Sequence, residues 1–365
     1  MTNSDMAHLR LHNQWIAGRG FVTPGGVVQW LGAVQGQDYL GVLWAVGLRM
    51  QNGTEAAVEQ ALAEKSIVRT WPMRGTLHLV AAADVRWMLD LLVPRVIASH
   101  ARRLQQRFGL DDAALGRCRD LFVAALQGGK QLSREAMYQV LEAEHIATAN
   151  QRGLHILWHL AQQGLLCFGA RAGKQQTFVL LDEWIPQAKT MPREAALAEL
   201  ARRYFTSHGP ATLPDFAWWS GLTTTDARAG LEMARPHLAA EVFDGQTCWL
   251  SPSLPAAKDA SPTAYLLPVY DEYMVAYKDR SAVLEPAHAK LAHAGNGIFS
   301  PAIVVDGQMV GTWNRTQKKR ALVLTPYPFV PLSDAERHAY TLAAERYGAF
   351  RGLPVVAPNE RTTGS

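Results

Sequence analysis

The chain has 365 residues and a formal net charge of +4 at pH 7, with 48% hydrophobic and 19% charged residues. These values are typical of a globular protein with roughly two to three domains. No stretch has the roughly 18 consecutive apolar residues that a membrane span needs, and the first residues lack a secretory signal pattern. We therefore predict a cytoplasmic protein without a membrane span.

The cysteines and histidines do not predict a metal or a disulfide framework. Cys118, Cys167 and Cys248 are far apart in the sequence and form no C-x-x-C pair, which favours a reducing compartment. His155 and His159 have the spacing of a metal pair on a helix, but no third ligand is evident. We predict no metal and no cofactor. The isoelectric point near 9.0 is compatible with a polyanionic partner but does not require one.

Two helices are predicted before residue 34. Ser4 and Asp5 indicate the start of the first, and Thr23 followed by Pro24 predicts the N-cap and first turn of the second. An apolar helical pattern resumes at Tyr39. The residues between the second and third helices break both patterns.

The polar stretch at residues 34–39 contains two carboxamides, Gln35 and Gln37, and the carboxylate of Asp38. In one continuous helix, side chains two residues apart point roughly 200° from each other, so the glutamines could not serve one site there. Gly36 is expected to let the backbone turn between two helices. We predict a polar loop at the mouth of a helix, where functional side chains often lie. Capping of helix ends is the alternative for the glutamines, and N-capping is the favoured interpretation of Asp38.

A pattern of helices followed by a β-hairpin occurs three times. The first copy has alternating residues from 67 to 80, with a turn at residues 72–75. In the second copy, Asp111, Ser133 and Asn150 are the predicted N-caps.

In the third copy, Thr212 and either Thr224 or Thr225 are the predicted N-caps, and Asp244-Gly245 predicts a two-residue hairpin turn. Tandem units of this kind are typical of winged helices and favour nucleic-acid binding. Protein contacts are the alternative use of such units.

The last part of the chain is predicted to be rich in strands. After a linker at residues 251–262, Asp306-Gly307 predicts another hairpin and Ser333 starts a capping box. Residues after Leu353 are expected to fray. The predicted fold class is α+β, with three tandem winged-helix units, a small β-barrel-like domain and a C-terminal helix. The predicted domains are 1–108 (first winged helix, polar loop and connecting helix), 109–190 (second winged helix), 191–252 (third winged helix) and 263–352 (barrel-like domain with its helix).

With these elements placed, the sequence resembles the winged-helix DNA glycosylases typified by AlkZ and YcaQ, which remove alkylated purines and unhook interstrand crosslinks. The resemblance covers nearly the whole chain. Two glutamines around one aliphatic residue are the catalytic signature of the AlkZ-like branch, whereas the YcaQ-like branch has aspartate in the second position. The resemblance implies that Gln35 and Gln37 are catalytic, with Gly36 in the place of the aliphatic residue. The segments that carry the resemblance are 34–39, 69–78, 270–273, 277–280 and 310–313.

The resemblance implies a monofunctional DNA glycosylase that acts as a monomer on double-stranded DNA carrying alkylated purines. It would hydrolyse the N-glycosidic bond of cationic N7-alkylguanine-type adducts, and whether crosslinks are also processed stays open. A glutamine has no useful pKa, but a pair of carboxamides can orient a water molecule. Asp38 and Tyr39 would support this pair.

Further residues are expected to contact DNA. Trp71 either wedges into the duplex at a lesion or packs inside the first hairpin, and both interpretations stay open. Basic side chains on the connecting helix and in the C-terminal part are candidates for phosphate contacts. The predicted DNA-binding set is Arg69, Trp71, Arg74, Thr76, His78, Arg102, Arg103, Arg280, Arg315, Lys318 and Lys319.

Two other functions are compatible with the same elements. A non-catalytic winged-helix DNA-binding protein, such as a transcriptional regulator, would prefer one sequence on undamaged DNA. A glycosylase would instead bind undamaged duplex weakly, without sequence preference and with strong salt dependence. A protein-interaction scaffold would have no DNA affinity even at low salt.

Overall fold

The computed structural model describes residues 2–18, 20–253, 262–293 and 298–356. The chain is a mixed α+β protein, as predicted, with helices and short hairpins up to residue 250 and a five-stranded sheet after it. Most of the predicted linker, residues 254–261, lies outside the described residues, and so does the end of the chain from residue 357. Among the helices of the described ranges, none is long and apolar enough to cross a membrane.

The N-terminal region, residues 2–81, contains four helices and a three-stranded antiparallel sheet in the order β1-β3-β2. Its second helix is capped as predicted, because the Thr23 side chain accepts a hydrogen bond from the Gly26 N–H. The cap of the first helix was predicted wrongly: it is Thr2, which forms a capping box with Asp5. The elements are α1 (Asn3–Asn13), α2 (Pro24–Leu31), β1 (Val34–Gln35), α3 (Tyr39–Leu48), α4 (Glu55–Ala63), β2 (Ile67–Met73) and β3 (Thr76–Ala81).

The middle region, residues 85–184, begins with a 24-residue helix and has a three-stranded sheet in the order β4-β6-β5. Asp111 and Ser133 are N-caps as predicted. Asn150 is not, because the N-cap position is Gln151, which has left-handed backbone and makes no capping bond. The elements are α5 (Val85–Phe108), α6 (Asp112–Leu126), β4 (Leu132–Ser133), α7 (Arg134–Ala143), α8 (Arg152–Gln162), β5 (Leu166–Phe168), β6 (Thr177–Leu180) and α9 (Leu181–Trp184).

The third region, residues 193–250, repeats the order of helix, extended bridge, two helices and hairpin. Ala211 supplies the bridge, pairing with Trp249. The predicted cap at Thr212 and the turn at Asp244-Gly245 are confirmed, but the last helix is capped by Thr223 rather than by either following threonine. The elements are α10 (Arg193–His208), α11 (Leu213–Ser220), α12 (Thr224–Ala234), β7 (Ala239–Phe243) and β8 (Gln246–Leu250).

The C-terminal region, residues 262–356, is a half-barrel sheet in the order β13-β12-β11-β10-β9. The hairpin at Asp306-Gly307 and the capping box at Ser333 are confirmed. The prediction that residues after Leu353 fray is wrong for Val355 and Val356, because these two residues pair in parallel with β12. The elements are β9 (Ala264–Leu267), α13 (Glu272–Val275), β10 (Ala302–Val305), β11 (Gln308–Gln317), β12 (Leu322–Pro328), α14 (Asp334–Arg351) and β13 (Val355–Val356).

One apolar core joins the N-terminal region to the C-terminal region. Trp44 of α3 is buried, contacts Tyr347 and Phe350 of α14, and donates its indole N–H to the Leu266 carbonyl at 2.6 Å. A second core runs from the hairpin of the N-terminal region into α5 and α10. The polar stretch at residues 34–39 lies where these regions meet, which brings side chains distant in sequence close to it.

Candidate active site

Gln35 is the last residue of the edge strand β1, and Gln37 lies two residues beyond it. Val34 pairs with Leu79 and Gln35 pairs with His78 of β3, so the loop prediction is wrong for the first two residues of the stretch. Side chains two residues apart along extended backbone point to the same side. This geometry removes the objection that a helix would separate Gln35 from Gln37.

The carboxamides of Gln35 and Gln37 touch each other. The Gln35 Nε2 atom donates to the Gln37 Oε1 atom at 2.7 Å. Gln35 is 9% exposed, whereas Gln37 is exposed to solvent. The two side chains bond to each other rather than to a helix end, which argues against the capping interpretation. The pair therefore presents one buried and one accessible carboxamide.

Gly36 has a different role from the one predicted. Its φ angle lies outside the left-handed region, and a Cβ added there would lie 3.6 Å from the His78 backbone and 3.7 Å from the Arg69 Nε atom. Those distances are ordinary van der Waals contacts. The backbone at this position needs no left-handed conformation, so the expectation that glycine is needed for a turn is wrong.

Arg69 holds the backbone between the glutamines. Its Nε and Nη2 atoms donate to the Gly36 carbonyl at 3.0 and 2.9 Å, and its Nη1 atom donates to Gln176 at 3.3 Å. Burial lowers the pKa of Arg69 to about 10, and the residue is 5% exposed. This position corrects the prediction of a direct phosphate contact, since the guanidinium lies inside the protein.

Glu272, which the sequence did not indicate as a site residue, lies behind Gln35. Its Oε1 atom accepts the Gln35 main-chain N–H at 2.8 Å, and its Oε2 atom accepts the Trp219 indole N–H at 2.9 Å. Burial favours the protonated carboxyl, but the hydrogen bond with His208 and the positive charge of Arg74 lower the pKa of Glu272. The only available signal was its place in a segment that carries the family resemblance.

Arg74 and His78 of the first hairpin also face inwards. Arg74 donates to the Trp219 carbonyl and, through Nη2, to the Gln35 Oε1 atom at 3.3 Å. His78 is fully buried, and burial together with the charge of Arg74 lowers its pKa to about 3, so it is neutral near pH 7. Thr76 donates to the Met73 carbonyl at 3.3 Å. The predicted phosphate contact is therefore wrong for His78, and Arg74 supports Gln35 instead.

Trp71 packs inside the protein. It is 7% exposed, and its ring lies 5.2 Å from that of Phe168 in the middle region. Of the two interpretations left open, packing is confirmed and the wedge is wrong, because the indole fills the contact between two hairpins.

Asp38 and Tyr39 border the glutamines at the start of α3. Asp38 occupies the N-cap position but makes no capping hydrogen bond, so that favoured interpretation is wrong. Its Oδ2 atom lies 3.8 Å from the Arg315 Nη2 atom. Tyr39 donates to Glu59 at 2.7 Å, and burial followed by Glu59 raises its pKa. The phenol therefore stays protonated near pH 7 and anchors α3 through its hydrogen bond to Glu59.

The remaining residues predicted to contact DNA fall into two groups, one partly buried and one exposed. Arg280 is half-buried and donates to the Met274 carbonyl at 2.8 Å, and Arg315 donates to Tyr347 at 2.9 Å. The side chains that are exposed and available to phosphates are Arg102 and Arg103 on α5, and Lys318 and Lys319 in the turn between β11 and β12.

A pair of neutral carboxamides has hydrogen-bond donors and acceptors but no acid or base of its own, and here the pair lies beside hairpin repeats and a half-barrel sheet. The family described as DNA glycosylase AlkZ-like matches residues 28–350. The chain belongs to this family, which confirms the resemblance seen in the sequence.

One sequence and one solved structure from Streptomyces sahachiroi illustrate the similarity. An interstrand DNA cross-link repair glycosylase is 27% identical over 369 residues, covering 95% of this chain and 96% of the relative. The solved structure of the DNA glycosylase AlkZ has a TM-score of 0.80 at 22% identity, and the match covers 98% of this chain and 100% of that one. At that identity the structural likeness shows the fold.

Proposed function

We propose that this chain is a monofunctional DNA glycosylase that hydrolyses the N-glycosidic bond of cationic N7-alkylguanine-type adducts in double-stranded DNA. The observation that carries the proposal is the 2.7 Å hydrogen bond between Gln35 and Gln37, which brings the two carboxamides together. Gln35 is fixed by hydrogen bonds with Glu272 and Arg74, and Gln37 is exposed and can contact a substrate.

The chemistry of a cationic adduct suits a site made of neutral groups. Alkylation at N7 places positive charge on the base and makes it a good leaving group, so little acid catalysis is needed. The enzyme must orient a water molecule and stabilise an oxocarbenium-like sugar. The Gln37 amide can donate to the water while the Gln35 carbonyl accepts from it. The water oxygen bonds to the anomeric carbon, the glycosidic electron pair leaves with the base, and the surplus proton passes to solvent.

The surrounding surface supports DNA binding. The three repeats of helices and hairpin are proposed as winged-helix units within the domain boundaries given above. Exposed Arg102, Arg103, Lys318 and Lys319 would contact phosphates and give salt-dependent, sequence-independent affinity. A monomer would then bind the duplex through backbone contacts and act on the lesion at Gln37.

Unhooking of interstrand crosslinks is a further part of the proposal. The Streptomyces sahachiroi relative is named as an interstrand DNA cross-link repair glycosylase. A crosslink between two N7 positions carries the same cationic leaving group on each strand, so one hydrolysis at either end would release it.

The test uses purified protein and duplex DNA with one N7-methylguanine, with abasic sites detected after alkaline cleavage. We expect Gln37→Ala to lower the single-turnover excision rate about 100-fold while duplex affinity stays within about twofold. Gln51→Ala, which changes an exposed glutamine outside the site, is the matched control and should leave both values unchanged. If the wild type released no base from several cationic adducts, the enzyme proposal would be wrong.

A further inference from the structure

We propose that Glu272 is a positioning residue for this hydrolysis, fixing Gln35 through its main-chain N–H. The inference rests on the proposed function of the glutamine pair. It extends that function because Glu272 lies 237 residues from Gln35 in the sequence and has no contact with the substrate in the proposed reaction.

Both oxygens of the Glu272 carboxylate are committed to N–H donors. Oε1 accepts from the Gln35 main chain at 2.8 Å and Oε2 accepts from the Trp219 indole at 2.9 Å, while all three residues are buried. One carboxylate therefore ties the catalytic strand to α11 and α13. Hydrogen bonds from N–H donors to a buried carboxylate are among the stronger ones in proteins.

An amide cannot replace this carboxylate at the same place. A carboxamide has one accepting oxygen and one donating nitrogen. In Glu272→Gln, either Gln35 or Trp219 would direct its N–H at another N–H, and a buried donor without an acceptor is strongly unfavourable. Either the strand or the indole must move, although the volume of the side chain is almost unchanged.

The charge of Glu272 also belongs to the site. Arg74 and the two histidines His78 and His208 surround it, with the His208 Nε2 atom 3.7 Å from Oε2. Arg74 in turn donates to the Gln35 Oε1 atom at 3.3 Å. Glu272 thus binds the main chain of Gln35. Its negative charge also offsets the positive charge of Arg74, which binds the Gln35 side chain. Without the carboxylate, the positive charge of Arg74 would oppose the developing charge on the sugar.

A four-protein comparison tests this arrangement by single-turnover excision from N7-methylguanine duplex at saturating enzyme. We expect Glu272→Gln to slow excision about 30- to 100-fold with the duplex Kd within about twofold. Trp219→Phe removes one donor and should stay within about threefold of the wild type. The double variant should regain at least about tenfold over Glu272→Gln alone, because the amide oxygen can then face Gln35.

A matched control distinguishes a loss of positioning in Glu272→Gln from a general loss of stability. Asp215→Asn alters a buried capping carboxylate of α11 and should lower the melting temperature without changing the excision rate of the folded protein. Wild-type excision by Glu272→Gln, or a double variant as slow as Glu272→Gln, would overturn the inference.

A second measurement does not depend on catalysis. In protein labelled with ¹⁵N-glutamine, the Gln35 amide proton should resonate far downfield and exchange slowly, because it donates to a buried carboxylate. It is assigned as the resonance that Gln35→Leu removes. Glu272→Gln should shift it upfield and speed its exchange. An unchanged resonance would refute positioning, whereas failure of the wild type to release any base would refute only the proposed function.

Discussion

At the scale of single residues, the glutamine pair depends on backbone conformation more than on the residue between its members. Gly36 donates its N–H to the Leu77 carbonyl at 2.6 Å and accepts two hydrogen bonds from Arg69. The N–H and the carbonyl of Gly36 therefore both have hydrogen-bond partners, and neither bond requires a backbone conformation that only glycine adopts. The hydrogen bonds with Leu77 and Arg69, and not the conformational freedom of glycine, fix the backbone between the two carboxamides.

Gly36→Ala is therefore expected to be tolerated. Its Cβ would make ordinary contacts, and the loss of freedom in the unfolded chain should raise the free energy of unfolding by roughly 0.4–1 kcal/mol. Denaturant unfolding and the single-turnover excision rate, which should stay within about threefold of wild type, provide the measurements.

Gly75→Ala is the control, since Gly75 has a φ of +70° and an added Cβ would lie 3.1 Å from the Trp158 ring. That variant should be destabilised by about 1 kcal/mol or more. If Gly36→Ala were the more damaging of the two, our account of the strand would be wrong.

At the scale of elements, the first hairpin supports the strand β1, which carries Gln35. Arg69, Arg74 and His78 lie on β2, on β3 or at the turn between them, and all three are turned towards the protein interior. The exposed cations lie elsewhere, on α5 and in the turn between β11 and β12. The basic side chains of the first hairpin can therefore support the site, whereas those on α5 and in the β11–β12 turn are exposed and can bind phosphate.

Salt dependence should distinguish these two kinds of basic residue. We expect Arg102→Ala with Arg103→Ala to reduce the slope of log affinity against log salt by about 1 for each arginine that binds a phosphate in the wild type. Arg69→Lys should leave that slope unchanged and slow excision, because lysine cannot form the two-pronged contact with the Gly36 carbonyl. Duplex binding measured across a salt series, with excision measured in parallel, would show both effects. An unchanged slope in the double α5 variant would exclude those arginines from the interface.

At the scale of the whole molecule, the N-terminal and C-terminal regions form one packed unit around the site. Arg49 donates two hydrogen bonds of 2.9 Å to Asp271, and both side chains are fully buried. Asp271 directly precedes Glu272, so the ion pair also fixes the segment that reaches Gln35. Stability and site geometry therefore depend on the same contact between distant parts of the chain.

Asp271→Asn should be strongly destabilising. Removing one charge leaves Arg49 buried without its counter-ion, a loss of about 3–5 kcal/mol in comparable pairs. Urea unfolding of the variant would measure it. Asp226→Asn breaks the more exposed pair with Arg193 and should cost less than about 1 kcal/mol. Equal effects of the two substitutions would contradict the assigned importance of the buried pair.

Much of the local structure was predictable because its causes lie within a few residues. Thr23, Ser133, Thr212 and Ser333 cap helices through hydrogen bonds to N–H groups three residues ahead. Asp306-Gly307 forms its hairpin turn through backbone that glycine permits. The caps that were predicted wrongly, such as Asn150, lie where several polar residues compete within the same turn.

The sequence by itself determined the α+β class and the family, since both depend on the order of residues along the chain, but the contact between Gln35 and Gln37 appeared only in the structure. Only the tertiary structure decided that Trp71 and Arg69 face inwards, because burial depends on which regions pack together. It alone placed Glu272 against Gln35, across 237 residues of sequence. Periodicity and capping rules describe neighbours along the chain, whereas the carboxylate and the strand meet only through the packed core of the folded protein.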